Sequence, residues 1–521
     1  MMIQANDFVN FFTNPFFLIA VTFWGIIALL ILVLGHFKKS KALSVFFPFL
    51  AMVKTTRLNK LLRKIALKSP RTWKVIFTIG IFISFFFTIY GFWYFTSNLI
   101  NLLLPVFFPS SYKPSPEAQV TPLVPGLTID FNTFTYLIIP ILLVLTVHEF
   151  SHAISANADD IPVKSTGVLG MGVFFIIGFG AFVEIDEKAY KRGHYSGWQK
   201  SRMAAAGSFS NAFLALIALI LVLNFPSVVS LTWGPPNALS ITNVYTSAQG
   251  GYNQGTLQSG DVLFAINGKT LASLDLNLSA YLVHVHPGDV ILCTIMRNGV
   301  NQTIAVRTGT PPAGTENQSM AFIGIQLEPW WPPRNWFGNW LGGLFPNTLQ
   351  IEIFWLWTIS ISVTIFNMLP VPIFDGDKVV YELINHFIKP RKIKRGVKER
   401  FIIGKDSKTY ELARLSAEGE HSVIMLPNPK YPDSHAFELA EHQDYQFTDS
   451  DGDDRLDHVT FELSDKDLVG KMVEIEYIAE VDSKEGQKRV IMNFIRVISL
   501  ALILLNFIIS ALTLGFKLPF G

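Results

Sequence analysis

Cysteine and charge are what this sequence has least of. Charged residues make up 16% of the 521 positions, where about 25% is usual for a soluble protein, while hydrophobic residues reach 50%. That balance argues against a water-soluble globule and predicts a polytopic α-helical membrane protein. The one cysteine, Cys293, cannot form an intrachain disulfide. It also excludes a zinc site built from thiolates, so any metal must be held by histidine and carboxylate. Cys293 itself reads as a small buried strand residue. The net charge of +2 points to no partner, and no segment makes a case for nucleic acid. Residues 1–14 lack the basic n-region of a cleaved signal peptide, so the first apolar stretch reads as a retained span.

Runs of about 20 apolar residues give six expected spans: Pro15–Leu34, Val75–Phe95, Phe134–Ala158, Met203–Phe225, Ile351–Pro370 and Val490–Leu514. The stretch from His36 to Lys74 is rich in lysine and arginine and has no acid at all. The positive-inside rule therefore assigns it to the cytoplasm. Stepping through the spans puts the N-terminus and the block 227–350 outside and the block 377–489 inside, in a multi-pass protein of, by expectation, the plasma membrane. The basic stretch 389–400 falls on the inner side, and the three Asn-x-Ser/Thr sequons at Asn277, Asn301 and Asn317 fall outside, in agreement with that orientation.

Two apolar stretches are not spans. Residues 46–52 are too short and read as an interfacial amphipathic segment. Residues 167–185 are apolar but studded with glycine, which disfavours helix by about 1 kcal/mol per residue. A re-entrant β-hairpin is expected there, since irregular backbone at membrane depth must be buried in protein or line a cavity. One edge of it, with Phe174 and Ile176 as the candidate residues, could pair with an unwound substrate segment by strand addition. A glycine-rich packing segment without substrate contact is the plain alternative.

Between Ile241 and Leu327 short β-prone runs alternate with turns, among them Ile266-Asn267-Gly268-Lys269, a hairpin signal. Leu257 and Gly260–Gly268 carry a pattern that resembles a PDZ domain, without a clear carboxylate-binding loop; a substrate gate or size filter is the favoured role and an inert domain the alternative. The block 389–489 is charged, with strands expected at 459–463 and 472–478. Its carboxylates Asp449, Asp451, Asp453 and Asp457 could wrap calcium through oxygen ligands. The EF-hand template fails, however, because Asp454 and Thr460 stand where Gly and Glu are needed, and a solvated Asp-rich turn is favoured. The expected organisation is an N-terminal transmembrane region at 1–225, an extracytoplasmic PDZ-like domain at 235–330, a span with its loop at 350–388, a small cytoplasmic β-rich domain at 389–489, and a C-terminal span at 490–521.

The sharpest feature is His148-Glu149-Phe150-Ser151-His152 within the third span. Histidines at i and i+4 share one helix face, and the intervening carboxylate can take the proton of an attacking water. Ionisable groups in a span cost roughly 3 kcal/mol or more each, so they predict function. Their plain alternative is a chance charged run in a soluble helix, which the apolar flanks disfavour. A third ligand at the same bilayer depth is sought in Asn367-Met368-Leu369-Pro370-Val371-Pro372-Ile373-Phe374-Asp375-Gly376-Asp377, where Asp375 and Asp377 compete. The prolines end the helix and Gly376 is expected to supply a bend.

Taken together, His-Glu-x-x-His in a span, Asn-x-x-Pro-x-Pro-x-x-Asp-Gly later in the chain, and an intervening PDZ-like domain resemble the site-2 protease family of intramembrane zinc metalloproteases, peptidase M50 type. Gly180-Ala181-Phe182-Val183, Ala206-Gly207 and Asn211 are also similar to family features, although Ser208 stands where many members have proline. The resemblance implies one catalytic zinc held by His148, His152 and Asp375, Glu149 as general base, and Asn367 as a hydrogen-bond donor to substrate, with helix packing as its alternative role. It implies as substrate a single-span membrane protein cut near the cytoplasmic face, in regulated intramembrane proteolysis. The competing readings are a non-proteolytic membrane zinc protein, transporter or sensor, and a PDZ-bearing scaffold with a vestigial site.

Overall fold

A computed structural model describes residues 22, 43–46, 50–113, 115–125, 128–173, 176–185, 195–249, 251–311, 320–403, 409–426, 436–449, 456–461 and 471–515. Strands β1 (Leu43–Phe46) and β2 (Leu50–Thr55) lead into helices α1 (Thr56–Lys68), α2 (Pro70–Phe107) and α3 (Phe131–Ala158). Strands β3 (Val163–Val173) and β4 (Ile176–Ile185) precede α4 (Gly197–Leu223). After a strand-rich segment come α5 (Phe345–Asn367) and α6 (Asp375–Phe387), a second strand-rich segment, and α7 (Glu485–Leu514).

Among the described residues, five helices are long and apolar enough to cross a membrane: α2, α3, α4, α5 and α7. In the most apolar window of each, only 22–33% is buried, so most of each surface is left for lipid. The expected span Pro15–Leu34 lies, but for Thr22, outside the described residues. The chain divides into two compact units. One comprises 1–131, 145–211 and 362–521, the other 132–144 and 212–361.

In the first unit, polar side chains join the helices at depth, as is usual where neighbouring helices and lipid are equally apolar. Asn98 of α2 donates to Asn506 Oδ1 of α7 at 3.0 Å, and Asn506 donates to the Phe95 carbonyl at 2.9 Å. Gly80 of α2 admits the ring of Phe209 on α4, which a Cβ would meet at 2.8 Å. Two buried carboxylates each take a bidentate arginine. Asp159, just past the end of α3, meets Arg202 of α4 at 2.7 Å through both oxygens and Lys74 of α2 at 3.5 Å. Asp377 of α6 meets Arg496 of α7 at 2.7 Å through both oxygens.

Of the stretch 46–52, Phe46 ends β1 and residues 50–52 open β2; the two strands pair antiparallel and extend a sheet of order β1-β2-β3-β4. An apolar strand beside β3 satisfies the amides of both edges. The glycine-rich segment is an antiparallel hairpin, Val173 opposite Ile176 and Thr166 opposite Val183.

The second strand-rich segment of the first unit comprises β11 (Lys392–Ile402), β12 (Thr409–Met425), β13 (Phe437–Glu438), β14 (Tyr445–Thr448), β15 (Leu456–Phe461) and β16 (Met472–Asp482), numbered after the strands of the other unit. Their sheet runs β11-β16-β12-β15-β14 over a core that includes Val459, Phe461, Val473 and Tyr477. Basic β11 lies against acidic β16, where Lys398 meets Glu476 at 3.0 Å and Arg400 meets Glu474 at 2.8 Å. Part of the basic run 389–400 thus serves strand pairing.

The second unit holds β5 (Ala238–Val244), β6 (Val262–Ile266), β7 (Lys269–Thr270), β8 (Val290–Arg297), β9 (Val300–Arg307) and β10 (Ile325–Trp330). The sheet order is β10-β5-β6-β8-β9, with β7 on β6. Asn267 (φ 47°) and Gly268 (φ 79°) make the β6–β7 turn, both in the left-handed region that such tight hairpins demand. Cys293 is buried in the core on β8, and burial pushes its thiol up to about 12, so it stays a neutral, inert thiol.

The Asp159 cluster yields a stability test. Arg202→Ala would leave a carboxylate that is 2% exposed with only Lys74 as counter-charge. We expect a loss of about 3 kcal/mol, read as a lower unfolding temperature in detergent, with part recovered when Asp159→Asn is added.

Candidate metal centre

The third helix is α-helical straight through the His-Glu-x-x-His segment, so His148 and His152 stack one turn apart with ring centroids 4.8 Å from each other. Their Nε2 atoms are 3.2 Å apart. Asp375, the first residue of α6, brings Oδ2 to 3.1 Å from His148 Nε2 and 3.2 Å from His152 Nε2. Zinc bonds of about 2.0–2.1 Å in a tetrahedron separate ligand atoms by roughly 3.3 Å. The three measured edges are therefore close to one face of such a tetrahedron, with its fourth corner unassigned. This group could hold a metal ion.

The donor set argues the same way. His152 Nδ1 lies 2.7 Å from the Met203 carbonyl, which can only accept, so Nδ1 carries a proton and in the neutral ring Nε2 keeps its lone pair. A lone pair facing a second imidazole and a carboxylate oxygen is repulsive unless a cation sits among them. A proton relieves one edge of the triangle, whereas a divalent ion relieves all three.

His148 Nδ1 lies 3.0 Å from the Asn211 amide. As oriented, Nδ2 faces the ring and Asn211 Oδ1 is buried with no partner. Because amide O and N are assigned rather than seen, exchanging them resolves both points. Oδ1 then accepts from His148 Nδ1–H, and Nε2 of His148 is freed for metal, the usual support for a ligating histidine. Asp375 is steadied in turn. Asn367 Nδ2 donates to its Oδ2 at 2.9 Å and the Ser208 hydroxyl does so at 3.4 Å.

Room for this cluster comes from α4. Residues 203–208 are Met-Ala-Ala-Ala-Gly-Ser, and Gly207 faces the imidazoles so closely that a Cβ would lie 2.5 Å from His152 Nε2 and 2.6 Å from His148 Nε2. Gly376 also acts through close approach. Its φ is unexceptional, so it supplies no special bend; a Cβ there would instead collide with the Met368 carbonyl, whose loop must lie flat on the start of α6. Asp377 faces Arg496, not the imidazoles.

Glu149 is half-buried, and its Oε2 accepts from the Val183 amide of β4 at 3.0 Å. Since β4 ends the sheet order and Val183 donates away from β3, the alternation of an antiparallel ladder gives Ile177, Phe179, Ala181 and Val183 backbone groups on the outer edge. Ile176 falls in the other phase, towards β3. Phe174 lies outside the described residues, as do Asp451 and Asp453. Asp449 and Asp457 belong to the strand-rich segment around β14 and β15, apart from the imidazoles. The supporting atoms were partly visible in sequence: Gly207 and Asn211 stood out only through the family resemblance, while the Met203 carbonyl left no side-chain signal.

Comparison with known proteins agrees with this geometry. Residues 136–327 match the model of peptidase family M50, a range that contains both histidines and Glu149 but stops short of Asn367 and Asp375. An uncharacterised protein of Methanocaldococcus jannaschii is 27% identical over 274 residues, 53% of this chain and 60% of that protein. The chain thus spans less than two thirds of that relative. The PDZ domain of an SdrC-like protein from Listeria monocytogenes aligns with 18% of this chain and 87% of its own at 16% identity and a TM-score of 0.15, too loose a superposition to assign a fold.

The packing at Gly207 sets a test of the centre. Gly207→Ala should abolish bound metal while helicity is kept, and Asn211→Ala should weaken metal affinity about 10- to 100-fold, both read by metal analysis and competitive chelation. With the two imidazoles and the intervening glutamate inside the matched range, residues 136–327 of this chain are similar to peptidase family M50.

Proposed function

We propose that the chain is an intramembrane zinc metallopeptidase of the site-2 protease type, which hydrolyses a peptide bond in the transmembrane segment of single-span membrane proteins near the cytoplasmic face. The observation that carries this reading is the convergence of His148, His152 and Asp375 on one triangle of 3.1–3.2 Å edges, beside a glutamate on the same helix. Zinc bound there would supply Lewis acidity towards water and the scissile carbonyl.

The chain's own groups account for the rest. Glu149 takes the proton of the attacking water as its oxygen bonds to the carbonyl carbon, and delivers that proton to the amine as the C–N bond breaks. Its hydrogen bond to Val183 keeps the carboxylate in register with the edge of β4. The Asn367 amide, already a donor at the ligand triangle, is suited to donate to the oxygen of the substrate carbonyl as charge develops on it. A peptide bond inside a helix is shielded, so cleavage requires local unwinding. The outer edge of β4 offers an extended segment the backbone partners it loses on leaving its helix.

The remaining features extend the proposal. The acid-free basic stretch before α2 supports a cytoplasmic location for the inner ends of the spans in a plasma-membrane protein. The sheet β5–β10 is read as an extracytoplasmic PDZ-like module that limits which substrates enter. Calcium at the Asp-rich turn gains no support from the described residues.

Two variants test this reading. Glu149→Gln should retain zinc and lower cleavage of a tagged single-span substrate at least about 100-fold; undiminished cleavage would remove the hydrolase in favour of a zinc transporter or sensor. Ala181→Pro deletes an outer-edge amide while sparing the ladder to β3, and should retain zinc but lose most cleavage. Cleavage at the parental rate would show that the edge does not engage substrate.

A further inference from the structure

Two short segments of the second unit meet where α4 ends and α5 begins. One follows Leu223 and contains a helical turn at Phe225–Val229; the other leads from β10 to Phe345 through a six-residue helix at Trp336–Leu341. The chain has eleven tryptophans, and Trp233, Trp330, Trp331, Trp336 and Trp340 all fall here. Residues 224–234 and 331–344 contain no acid, and their single base, Arg334, directs its guanidinium to the Ser230 carbonyl at 2.9 Å.

The tryptophans divide into two sets. Trp233 and Trp331 are buried with Phe225 and Val229 against Phe345 and Leu349, and their indole N–H groups donate to the Gly342 carbonyl at 3.1 Å and to Asn347 Oδ1 at 2.8 Å. Trp336 and Trp340 face away from that core, 79% and 73% exposed, and Leu231 is 86% exposed. A six-residue helix has no stability of its own, so its neighbours hold it. Asn335 caps it by accepting from the Gly338 amide at 2.9 Å and donates to the Leu231 carbonyl at 3.1 Å. Gly338 lies so close to the Thr232 carbonyl that a Cβ would meet it at 2.7 Å. The two indoles and the leucine are thus held outward by an ordered framework.

Chain connectivity fixes the depth of this surface. Both α4 and α5 are long and apolar enough to cross a membrane, and the last turn of α4 leaves Ile220 and Leu223 exposed. Leu341 and Phe345 are four residues apart, a reach of about 14 Å at most. The exposed indoles therefore continue the lipid-facing sides of two apolar helices at one end. A bilayer passes there from acyl chain to headgroup, and an indole, with an apolar body and one N–H, suits both. A protein partner would find no charge to orient it. We propose that Trp336, Trp340 and Leu231 insert into the headgroup–acyl boundary of the leaflet at this end of α4 and α5. They seat the β5–β10 sheet at the bilayer surface through β10, whose last residue, Trp330, leads into the aromatic segment. The inference rests on α4 and α5 crossing the bilayer and not on the metal centre.

The test uses the full chain in phosphatidylcholine vesicles, spin-labelled at Leu231→Cys, Ile220→Cys or Val300→Cys. Cys293 is 1% exposed, so the introduced thiol takes the label alone. Val300 is an exposed residue of β9, four strands and about 19 Å from β10 in the sheet. Collisions are measured with dissolved oxygen, which enters lipid, and with chromium oxalate, which stays in water. The ratio of oxygen to chromium collisions should be highest at 220, intermediate at 231 and lowest at 300. Adding Trp336→Ser and Trp340→Ser should shift the label at 231 towards the value at 300, whereas Trp336→Tyr with Trp340→Tyr should leave it in place. A label at 231 as open to chromium as that at 300, with 220 in lipid, would overturn this proposal alone; chromium access at 220 would overturn the crossing of α4 and this proposal with it. Shielding of 231 from both agents would mean that protein covers the surface and would also overturn it, as would a serine pair that shifts nothing. The labels at 231 in the parental background decide the matter even if the serine pair does not fold.

Discussion

Three hydrogen-bond acceptors held within 3.2 Å of one another among apolar helices are the constraint that the rest of this architecture serves. Left to themselves the two imidazoles and the carboxylate would turn apart. Each is prevented from doing so by a partner on another segment: the Met203 carbonyl for His152, the Asn211 amide for His148, Asn367 and Ser208 for Asp375. Three of these four groups, Met203, Ser208 and Asn211, lie on α4. The small residues at 204–208 are therefore not generic helix packing. They bring the α4 backbone close enough to α3 for a carbonyl and an amide to reach the rings, and Gly207 marks where that approach leaves no space for even a methyl group.

The hairpin is tied to the same helix through Glu149. A carboxylate inside an apolar helix bundle needs a hydrogen-bond donor. The Val183 amide gives it a donor at 3.0 Å and at the same time uses up one position of an otherwise open strand edge. Edges of this kind are usually blocked or covered. Here β1 and β2 extend the far side of the sheet, while among the described residues no strand pairs with β4 on its other side. The side left unpaired is the one that faces the glutamate.

How much of this could be read in the sequence depended on whether the signal was local. The helices announced themselves by apolar length, and the Asn267-Gly268 turn by the backbone angles it needs. Asn298-Gly299, with φ of 52° and 79° between β8 and β9, follows the same rule and carries equal information. The long strand β12 did not stand out, because its residues 409–425 alternate charge and small side chains in a way that also suits an exposed loop; its pairing to β15 and β16 is non-local. The strands at 43–46 and 50–55 were hidden for the same reason, since nothing in a short apolar run between lysines indicates that an open strand edge lies more than a hundred residues later. At the metal centre the ligand types were legible, while the backbone carbonyl that fixes the tautomer of His152 has no residue signature at all.

The choice between Asp375 and Asp377 shows how a neighbouring ion pair can define a candidate metal site. Two carboxylates two residues apart near the start of one helix have similar intrinsic affinity for a divalent ion, and a flexible loop could present either. Arg496 removes the ambiguity by clasping both oxygens of Asp377 at 2.7 Å. A carboxylate so engaged has little capacity left for metal, and its geometry fixes the rotation of α6 about its axis. With Asp377 held towards α7, the residue two positions earlier, about 200° back around the helix, is turned to the opposite side, where the imidazoles are. The last apolar helix therefore contributes to the candidate metal centre without touching it. It sets the angle at which Asp375 enters, a role that composition and motif spacing could not have assigned to an arginine more than a hundred residues away.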